Sequence, residues 1–358
     1  MRAVADNANA REQAIRSIVS GGILATDYDG CLSPLYDISE EAWRSRGVLP
    51  AMQQLGAVPG VLVVAISGRP RRLTEGKRGI ENFLRTDRVH DRDSAGSDVS
   101  GTEVPTARFA ADGMGYTLED GRRGAIHIIA NHGADMDSGL IQTGEEAALA
   151  EQLFAPMGVA DAVIRERLIA ELPIALRDEF PNIETTEEVD LAQPERIYLE
   201  VKPEGVAVHT RTLAKTRSEE AARVLAFAEE FYRNRAQAWG HALHATPGSN
   251  VLDIQVRPAS KGRPIIYLKR KFPSQPITYI GDDITDIAAM RQLTEGDTAI
   301  IVGNRITEEL DKQGLAPGVN VLRLADPGEL ATFLGDAATA VRKHPRTASS
   351  GSLSPERS

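Results

Sequence analysis

Four short polar clusters carry the side chains of this chain best suited to chemistry: Asp27-Tyr28-Asp29-Gly30, Ser67-Gly68-Arg69, Lys261-Gly262 and Gly281-Asp282-Asp283-Ile284-Thr285-Asp286. In the first, two carboxylates lie one residue apart at the end of the apolar run Ile23-Leu24-Ala25-Thr26. Residues i and i+2 of a strand point to the same side, so Asp27 and Asp29 face together if the extension continues through them. Two like charges that close repel, and each loses hydration at a partly buried strand end; a cation between them resolves the conflict. A hard divalent ion suits oxygen anions, and magnesium is the usual one beside phosphates. Each cluster alone also has a plainer reading. Asp27 and Asp29 fit a strand-end turn, and Ser67-Gly68-Arg69 fits a helix cap with Arg69 paired to acidic neighbours. Lys202, which also follows a strand, rivals Lys261. As a set they supply a nucleophile, a proton donor, phosphate-binding donors and a metal site, the parts that phosphoryl transfer needs.

The elements that must position these clusters follow from hydrophobic patterning. Residues 22–26, 60–66 and 125–130 are largely apolar runs ending in polar turns, and 277–280, 298–302 and 319–324 read as further strands after the middle of the chain. Continuous apolar strands alternating with helices, here expected at 11–19 and 39–55, indicate an α/β fold with a doubly wound parallel sheet covered on both faces. The polar clusters then stand at the carboxyl ends of strands, the edge at which open parallel sheets bind ligands. The middle differs in texture. Helices at 145–154, 161–171 and 218–239, with hairpins at 196–211 and 241–256 (turning at Pro247-Gly248), read as a separate α+β domain inserted between two halves of the first. The expected division is core residues 1–132, inserted domain 133–257, core residues 258–340 and a disordered Ser-, Pro- and Arg-rich tail at 341–358. Residues 86–106, rich in Asp, Ser, Arg and Gly, read as a mobile surface loop. A small hairpin is expected from 109 to the Asp120-Gly121 turn.

The chain has 358 residues and a formal net charge of −10, which argues against nucleic acid or an anionic membrane as the main partner. Any phosphate-bearing substrate must therefore meet cations concentrated locally. One cysteine, Cys31, excludes an internal disulfide and fits a reducing compartment. The first twenty residues lack an apolar signal core, and no run approaches the ~20 apolar residues of a membrane span. A cytoplasmic location is expected.

The order Asp27-x-Asp29-Gly30, Ser67-Gly68-Arg69, Lys261-Gly262, Gly281-Asp282-Asp283-x-x-Asp286 resembles the haloacid dehalogenase superfamily of phosphatases, and the inserted domain resembles its C2-type cap. More narrowly, Asn131-His132-Gly133-Ala134-Asp135, Glu200-Val201-Lys202 with His209 and Arg211, and Gln255-Val256-Arg257-Pro258 resemble the trehalose-6-phosphate phosphatase family. The resemblance spans most of residues 22–324. It implies that Asp27 is a nucleophile forming an aspartyl-phosphate. Asp29 would protonate the leaving oxygen and later deprotonate water, which demands a raised pKa while it acts as an acid. Magnesium would be held by Asp27, Asp282 and the backbone carbonyl of Asp29, with Asp286 and Asp283 behind it. Ser67, Gly68, Arg69 and Lys261 would surround the phosphate, and Lys261 would restrain Asp27 as an anion. Cys31 stands where the family usually has threonine; a cysteine-phosphatase role is excluded because the arginine required six residues on is replaced by Asp37.

The resemblance also implies a substrate, a small-molecule sugar phosphate gripped distally by the cap through Asp135, Glu200, Lys202 and Gln255, with His132 at the domain junction. The family has Glu at the first and last of the four cap positions. The leading expectation is hydrolysis of trehalose 6-phosphate. These two departures keep open a related substrate, such as an amine-bridged pseudo-disaccharide phosphate of the validoxylamine type or a glycosyl-polyol phosphate. A non-catalytic sugar-phosphate sensor and a phosphomutase are the readings from other classes.

Overall fold

The computed structural model describes residues 2–36, 42–72, 79–92, 98–103, 107–110, 114–136, 138–140, 144–154, 157–187, 195–202, 204–248, 250–258 and 260–343. In chain order its strands are β1 (Ile23–Thr26), β2 (Leu62–Ile66), β3 (Arg88–Arg92), β4 (Asp98–Thr102), β5 (Ala107–Phe109), β6 (Gly115–Leu118), β7 (Arg123–Ile129), β8 (Glu184–Thr186), β9 (Arg196–Lys202), β10 (Gly205–His209), β11 (His244–Gly248), β12 (Val251–Gln255), β13 (Ile277–Gly281), β14 (Thr298–Val302) and β15 (Asn320–Leu324). The helices are α1 (Arg2–Val19), α2 (Val48–Gly56), α3 (Ile80–Arg85), α4 (Gly144–Phe154), α5 (Val159–Glu179), α6 (Ser218–Trp239), α7 (Gly262–Lys271), α8 (Ile284–Met290), α9 (Thr307–Gln313) and α10 (Pro327–Lys343).

The apolar runs form an eight-stranded sheet of order β15-β14-β13-β1-β2-β7-β6-β5. It is parallel from β15 to β7, and the hairpin β5–β6 adds an antiparallel edge. Side chains alternate between two apolar layers. Leu24, Val63 and Ile280 pack with Ile18, Met52 and Phe333 of α1, α2 and α10, whereas Ile23, Val64 and Tyr279 pack with Tyr267, Met290 and Leu310 of α7, α8 and α9. This is the doubly wound α/β sheet that the patterning predicts. Strand β1 lies between β2 and β13, so the chain winds outward from it in both directions. Thr26 is level with Ala65 and Ile280, so the turns after β1, β2 and β13 emerge side by side at the reversal point, where such sheets bind ligands.

A second, five-stranded sheet of order β11-β12-β10-β9-β8 lies in sequence between β7 and β13. Leu199, Val206, Val208, Leu252 and Ile254 face Leu168, Leu172, Val224 and Phe231 of α5 and α6. By the two-residue period of a strand, Glu200, Lys202, Ala207, His209, Asp253 and Gln255 share the opposite face. No helix among the described residues is long and apolar enough to cross a membrane.

Several boundaries differ from the sequence expectation. Helix α1 starts at Arg2 rather than residue 11. The helix expected over 39–55 starts only at Val48. Ser45 pairs with His90 in an isolated bridge and Gly47 has φ 85°, which holds that segment out of a helix; residues 39–41 lie outside the described residues. The stretch 86–106, expected as a loop, contains the antiparallel pair β3–β4. The buried Arg44 guanidinium anchors it, donating to the carbonyls of Phe83, Thr86 and Arg88 and reaching Glu103 at 3.4 Å. The expected division at residue 133 falls before α4, yet α4 packs on the first sheet's side, with the Phe154 ring 5.9 Å from Tyr267 of α7. Pro247 and Gly248, expected as a turn, belong to β11, and Gly248 pairs with Val251. Residues 341–343 complete α10, while the rest of the expected tail, 344–358, lies outside the described residues.

Candidate active site

Asp27 follows β1, and its N–H donates to the Ile280 carbonyl at 2.9 Å, which draws it against β13. Lys261, just before α7, places its Nζ 2.7 Å from Asp27 Oδ2 and 2.8 Å from Asp286 Oδ1. Asp286 is fully buried. It also accepts from the Tyr279 hydroxyl at 2.6 Å and from the N–H groups of Asp282 and Asp283 at 3.0 Å each. Its four donors tie the lysine to the turn after β13. Asp283 caps α8 through the N–H of Ile284, at 2.6 Å. Gly30, at φ 78°, lets the chain turn over this cluster; a Cβ there would lie 2.1 Å from Asp282 Oδ2.

Carboxylate oxygens of Asp27, Asp282 and Asp286 lie within 4.8 Å of one another. Burial pushes the Asp27 carboxyl up to about 7 against the pull of Lys261, and the charges of Asp286 and Asp29 add to the rise. Burial, with Asp27 and Asp286 nearby, pushes Asp282 well above the usual carboxylate range, although Arg305 reaches its Oδ2 at 2.8 Å. Asp27 and Asp282 both favour protonation when alone, and these hard oxygen donors fit a divalent cation as the missing charge. Each Asp286 oxygen already accepts two donors. Asp27 Oδ1 and Oδ2 accept one each, from the Tyr28 N–H at 2.7 Å and from Lys261, and Asp282 Oδ2 meets Arg305, so Asp27 and Asp282 keep lone pairs with which to bind it. A soft atom also lies nearby, Cys31 Sγ, 3.7 Å from Asp282 Oδ1.

Asp29 shares the edge but not the cluster. Arg69 grips it with Nε 2.7 Å from Oδ2 and Nη2 2.5 Å from Oδ1, and the guanidinium stacks 4.6 Å from the Phe83 ring centre. Burial would raise the Asp29 carboxyl, but this two-pronged pairing outweighs it and holds Asp29 below its ordinary value. The raised pKa expected of an acid at this position is therefore not present in this arrangement.

The cavity above these groups lies between the two sheets. Asp27, Asp29, Gly68, Arg69, His132 and Lys261 line it from one side, and Glu200, Lys202, His209, Arg211 and Asp253 from the other. Lys202 Nζ stands 2.7 Å from Asp253 Oδ2, 4.0 Å from Glu200 Oε2 and 3.5 Å from the Gly68 carbonyl. Glu200 is bound to His209 at 3.0 Å. Burial opposes its ionisation, but Lys202 and the His209 hydrogen bond bring its carboxyl down to about 2. His132 is presented by a turn in which Asn131, His132 and Gly133 all have positive φ (51°, 52° and 96°). That strained turn is fastened by N–H bonds from His132 to the Ser67 carbonyl and from Asn131 to the Arg69 carbonyl, each 2.9 Å.

Of the residues singled out from sequence, Asp282 and Asp286 lie beneath the cavity floor. Ser67 is fully buried and accepts from the Arg69 N–H at 3.1 Å. Ser67 does not line the cavity, and two further residues are not brought to it. Asp135 pairs with Arg71 at 3.1 Å, a partner from the turn after β2. Gln255 lies on the correct face of β12 but too far along it, and is buried outside the lining. Sequence reasoning missed Asp253 and Arg305. The alternation Val251-Leu252-Asp253-Ile254-Gln255 put both polar residues on one face without showing which meets the cavity.

No family model matches the chain. The fold is a doubly wound α/β sheet with a buried aspartate cluster at its ligand-binding edge. The solved C-terminal domain of trehalose-6-phosphate phosphatase from C. albicans has a TM-score of 0.51 at 14% identity, over 92% of this chain and 98% of that one. Curated trehalose-phosphate phosphatases of Mycobacterium tuberculosis (strain ATCC 25618 / H37Rv) and Mycobacterium bovis (strain BCG / Pasteur 1173P2) are 26% identical to it over 327 residues, 89% of this chain. The match spans 62% of those relatives' own length.

Proposed function

We propose that this chain is a magnesium-dependent phosphatase hydrolysing the phosphomonoester of a disaccharide-type sugar, with trehalose 6-phosphate the leading substrate. The observation that carries this reading is Lys261 bridging Asp27 and Asp286 beneath a cavity whose far wall is polar. The names of the mycobacterial relatives support the substrate.

In this mechanism Asp27 attacks the phosphorus, the bond to the sugar oxygen breaks, and an aspartyl-phosphate forms. Lys261 aims Asp27 and favours its ionised form against the cost of burial, and Asp286 fixes Lys261. Asp27 and Asp282 would hold the magnesium ion, which when bound offsets the repulsion between an anionic nucleophile and an anionic phosphate. Asp29, held ionised by Arg69, is ready to take a proton from the water that cleaves the intermediate. The acid half-reaction needs a proton on Asp29 first, which the dianionic phosphate favours by entering beside it. The second sheet would act as the C2-type cap that grips the sugar.

The test is phosphate release from a panel of sugar phosphates with magnesium and with a chelator. Release from trehalose 6-phosphate that the chelator abolishes supports the reading; release from no ester ends it. A second reading, an amine-bridged pseudo-disaccharide phosphate, rests on the Asp135 and Gln255 departures in sequence. A higher specificity constant for that ester would establish it.

A further inference from the structure

We propose that Arg305 is a built-in counter-cation of the aspartate cluster, which holds the metal-free site together and in doing so weakens the binding of magnesium. This rests on the metal site of the phosphatase reading above and concerns how strongly that site takes its ion.

The first sheet places the arginine. Strand β14 runs parallel to β13 with Ile301 level with Gly281, so the turns after the two strands emerge side by side. The turn after β13 carries Asp282 and Asp283. The turn after β14 bends at Gly303, φ 72°, whose N–H donates to the Leu324 carbonyl at 2.8 Å. Ile306, 1% exposed, packs in the apolar layer that holds Ile287 and Leu310. Arg305 lies between these two points, so the backbone that presents its guanidinium is held at both ends.

The two terminal nitrogens go to different carboxylates. Nη1 lies 2.8 Å from Asp282 Oδ2, and Nη2 lies 3.1 Å from Asp283 Oδ2. Lys261 divides itself in the same way between Asp27 and Asp286, so four carboxylates share two cations. The two cations are not equivalent. The Lys261 side chain is 2% exposed, whereas that of Arg305 is 28% exposed and pairs with Asp282, a carboxylate that would hold the ion. A cation at this distance supplies part of the charge that a divalent ion would supply, and repels a second cation on the same carboxylate. What the arginine contributes to the metal-free fold must then be surrendered or opposed when magnesium binds. The cluster thus stays assembled when magnesium is scarce and fills as its concentration rises. The opposite role, orienting Asp282 for the ion, carries the opposite sign.

The experiment is isothermal titration calorimetry of the metal-free full chain with magnesium chloride, joined to urea unfolding with and without the ion. Arg305→Gln is expected to bind magnesium about 5- to 20-fold more tightly than wild type, the size of the repulsion between a univalent and a divalent cation a few ångströms apart under strong solvent screening. Without magnesium it should unfold at lower urea concentration, and a fixed magnesium concentration should raise its midpoint by more than in wild type. Arg305→Lys keeps the charge and should stay within about threefold of the wild-type affinity. Unchanged or weaker binding by Arg305→Gln, or a lysine variant that binds as tightly as the glutamine variant, overturns the proposal. If Arg305→Gln is unfolded without metal, refolding on addition of magnesium supports the proposal, and failure to refold at saturating magnesium overturns it. Tighter binding by Arg305→Gln in a protein that hydrolyses no phosphate ester sustains the counter-cation and removes the phosphatase reading. Wild-type protein that binds no magnesium overturns both.

Discussion

Lys261 Nζ stands 2.7 Å from Asp27 Oδ2, and both side chains are almost entirely removed from solvent. The lysine is raised to an even firmer cation: burial works against its charge, but Asp27 and Asp286 outweigh that effect. Breaking a buried pair leaves an uncompensated charge and costs about 3–5 kcal/mol. Lys261→Met is therefore expected to lose about that much stability in urea unfolding of the metal-free protein, besides its turnover. A loss under about 1 kcal/mol would mean that the ammonium contributes little to holding the aspartates together.

Cation binding should register in stability as well as in rate. A ligand at a hundredfold excess over its Kd stabilises the folded state by about 2.7 kcal/mol. Titration with magnesium is expected to raise the unfolding midpoint of the wild type. Asp282→Asn removes one of the two carboxylates that would hold the ion, and should flatten that response. An unchanged magnesium response in the variant would place the ion elsewhere.

Glu200 supplies a pH dependence whose sign is fixed by its partners. Its carboxyl is held down from 4.5 to about 2 in the folded chain. A depressed carboxyl stabilises the fold above pH 4.5, and the contribution disappears as pH falls toward 2. A depression of this size corresponds to about 3 kcal/mol. The stability advantage of the wild type over Glu200→Gln should shrink by about that amount between pH 5 and pH 2, measured by urea unfolding. A difference that stays constant across this window would show that the Lys202 and His209 contacts do not favour the ionised form.

Gly68 allows close approach between the Ser67-Gly68-Arg69 turn and His132. A Cβ at this position would meet His132 Nε2 at 2.4 Å. Gly68→Ala is expected to displace the imidazole from Asp253 and to cost about 1–3 kcal/mol of stability, with a raised KM for the sugar ester. Unaltered KM would place His132 outside the binding surface.

The residues legible in the sequence were those whose neighbours are fixed by the sheet itself. Asp27, Asp282 and Lys261 sit at ends of apolar runs or just before them, and parallel pairing of β1 with β13 brings the turns together whatever the loops do. Asp253 and Asp135 were misjudged for the opposite reason. Which polar residue of β12 meets the cavity depends on how far the second sheet reaches over the first, and no local pattern encodes that distance. Asp135 was claimed by Arg71, a partner sixty-four positions away. The pair β3–β4 escaped notice because Arg-Val-His-Asp-Arg and Asp-Val-Ser-Gly-Thr lack the apolar alternation of a buried strand; its anchor is the buried Arg44 guanidinium, a long-range contact. Asp29 was expected to be a ready acid from its position, and the bidentate grip of Arg69 is visible only in three dimensions.

Phosphate release from trehalose 6-phosphate by Asp27→Asn, beside the wild type and with magnesium, tests the central claim most directly. The asparagine keeps the shape of the side chain but removes the nucleophilic oxygen anion. Turnover is expected to fall about 10⁴-fold or more while the circular dichroism spectrum stays unchanged. A correctly folded variant that retains turnover within about tenfold of wild type would contradict an aspartyl-phosphate at this position.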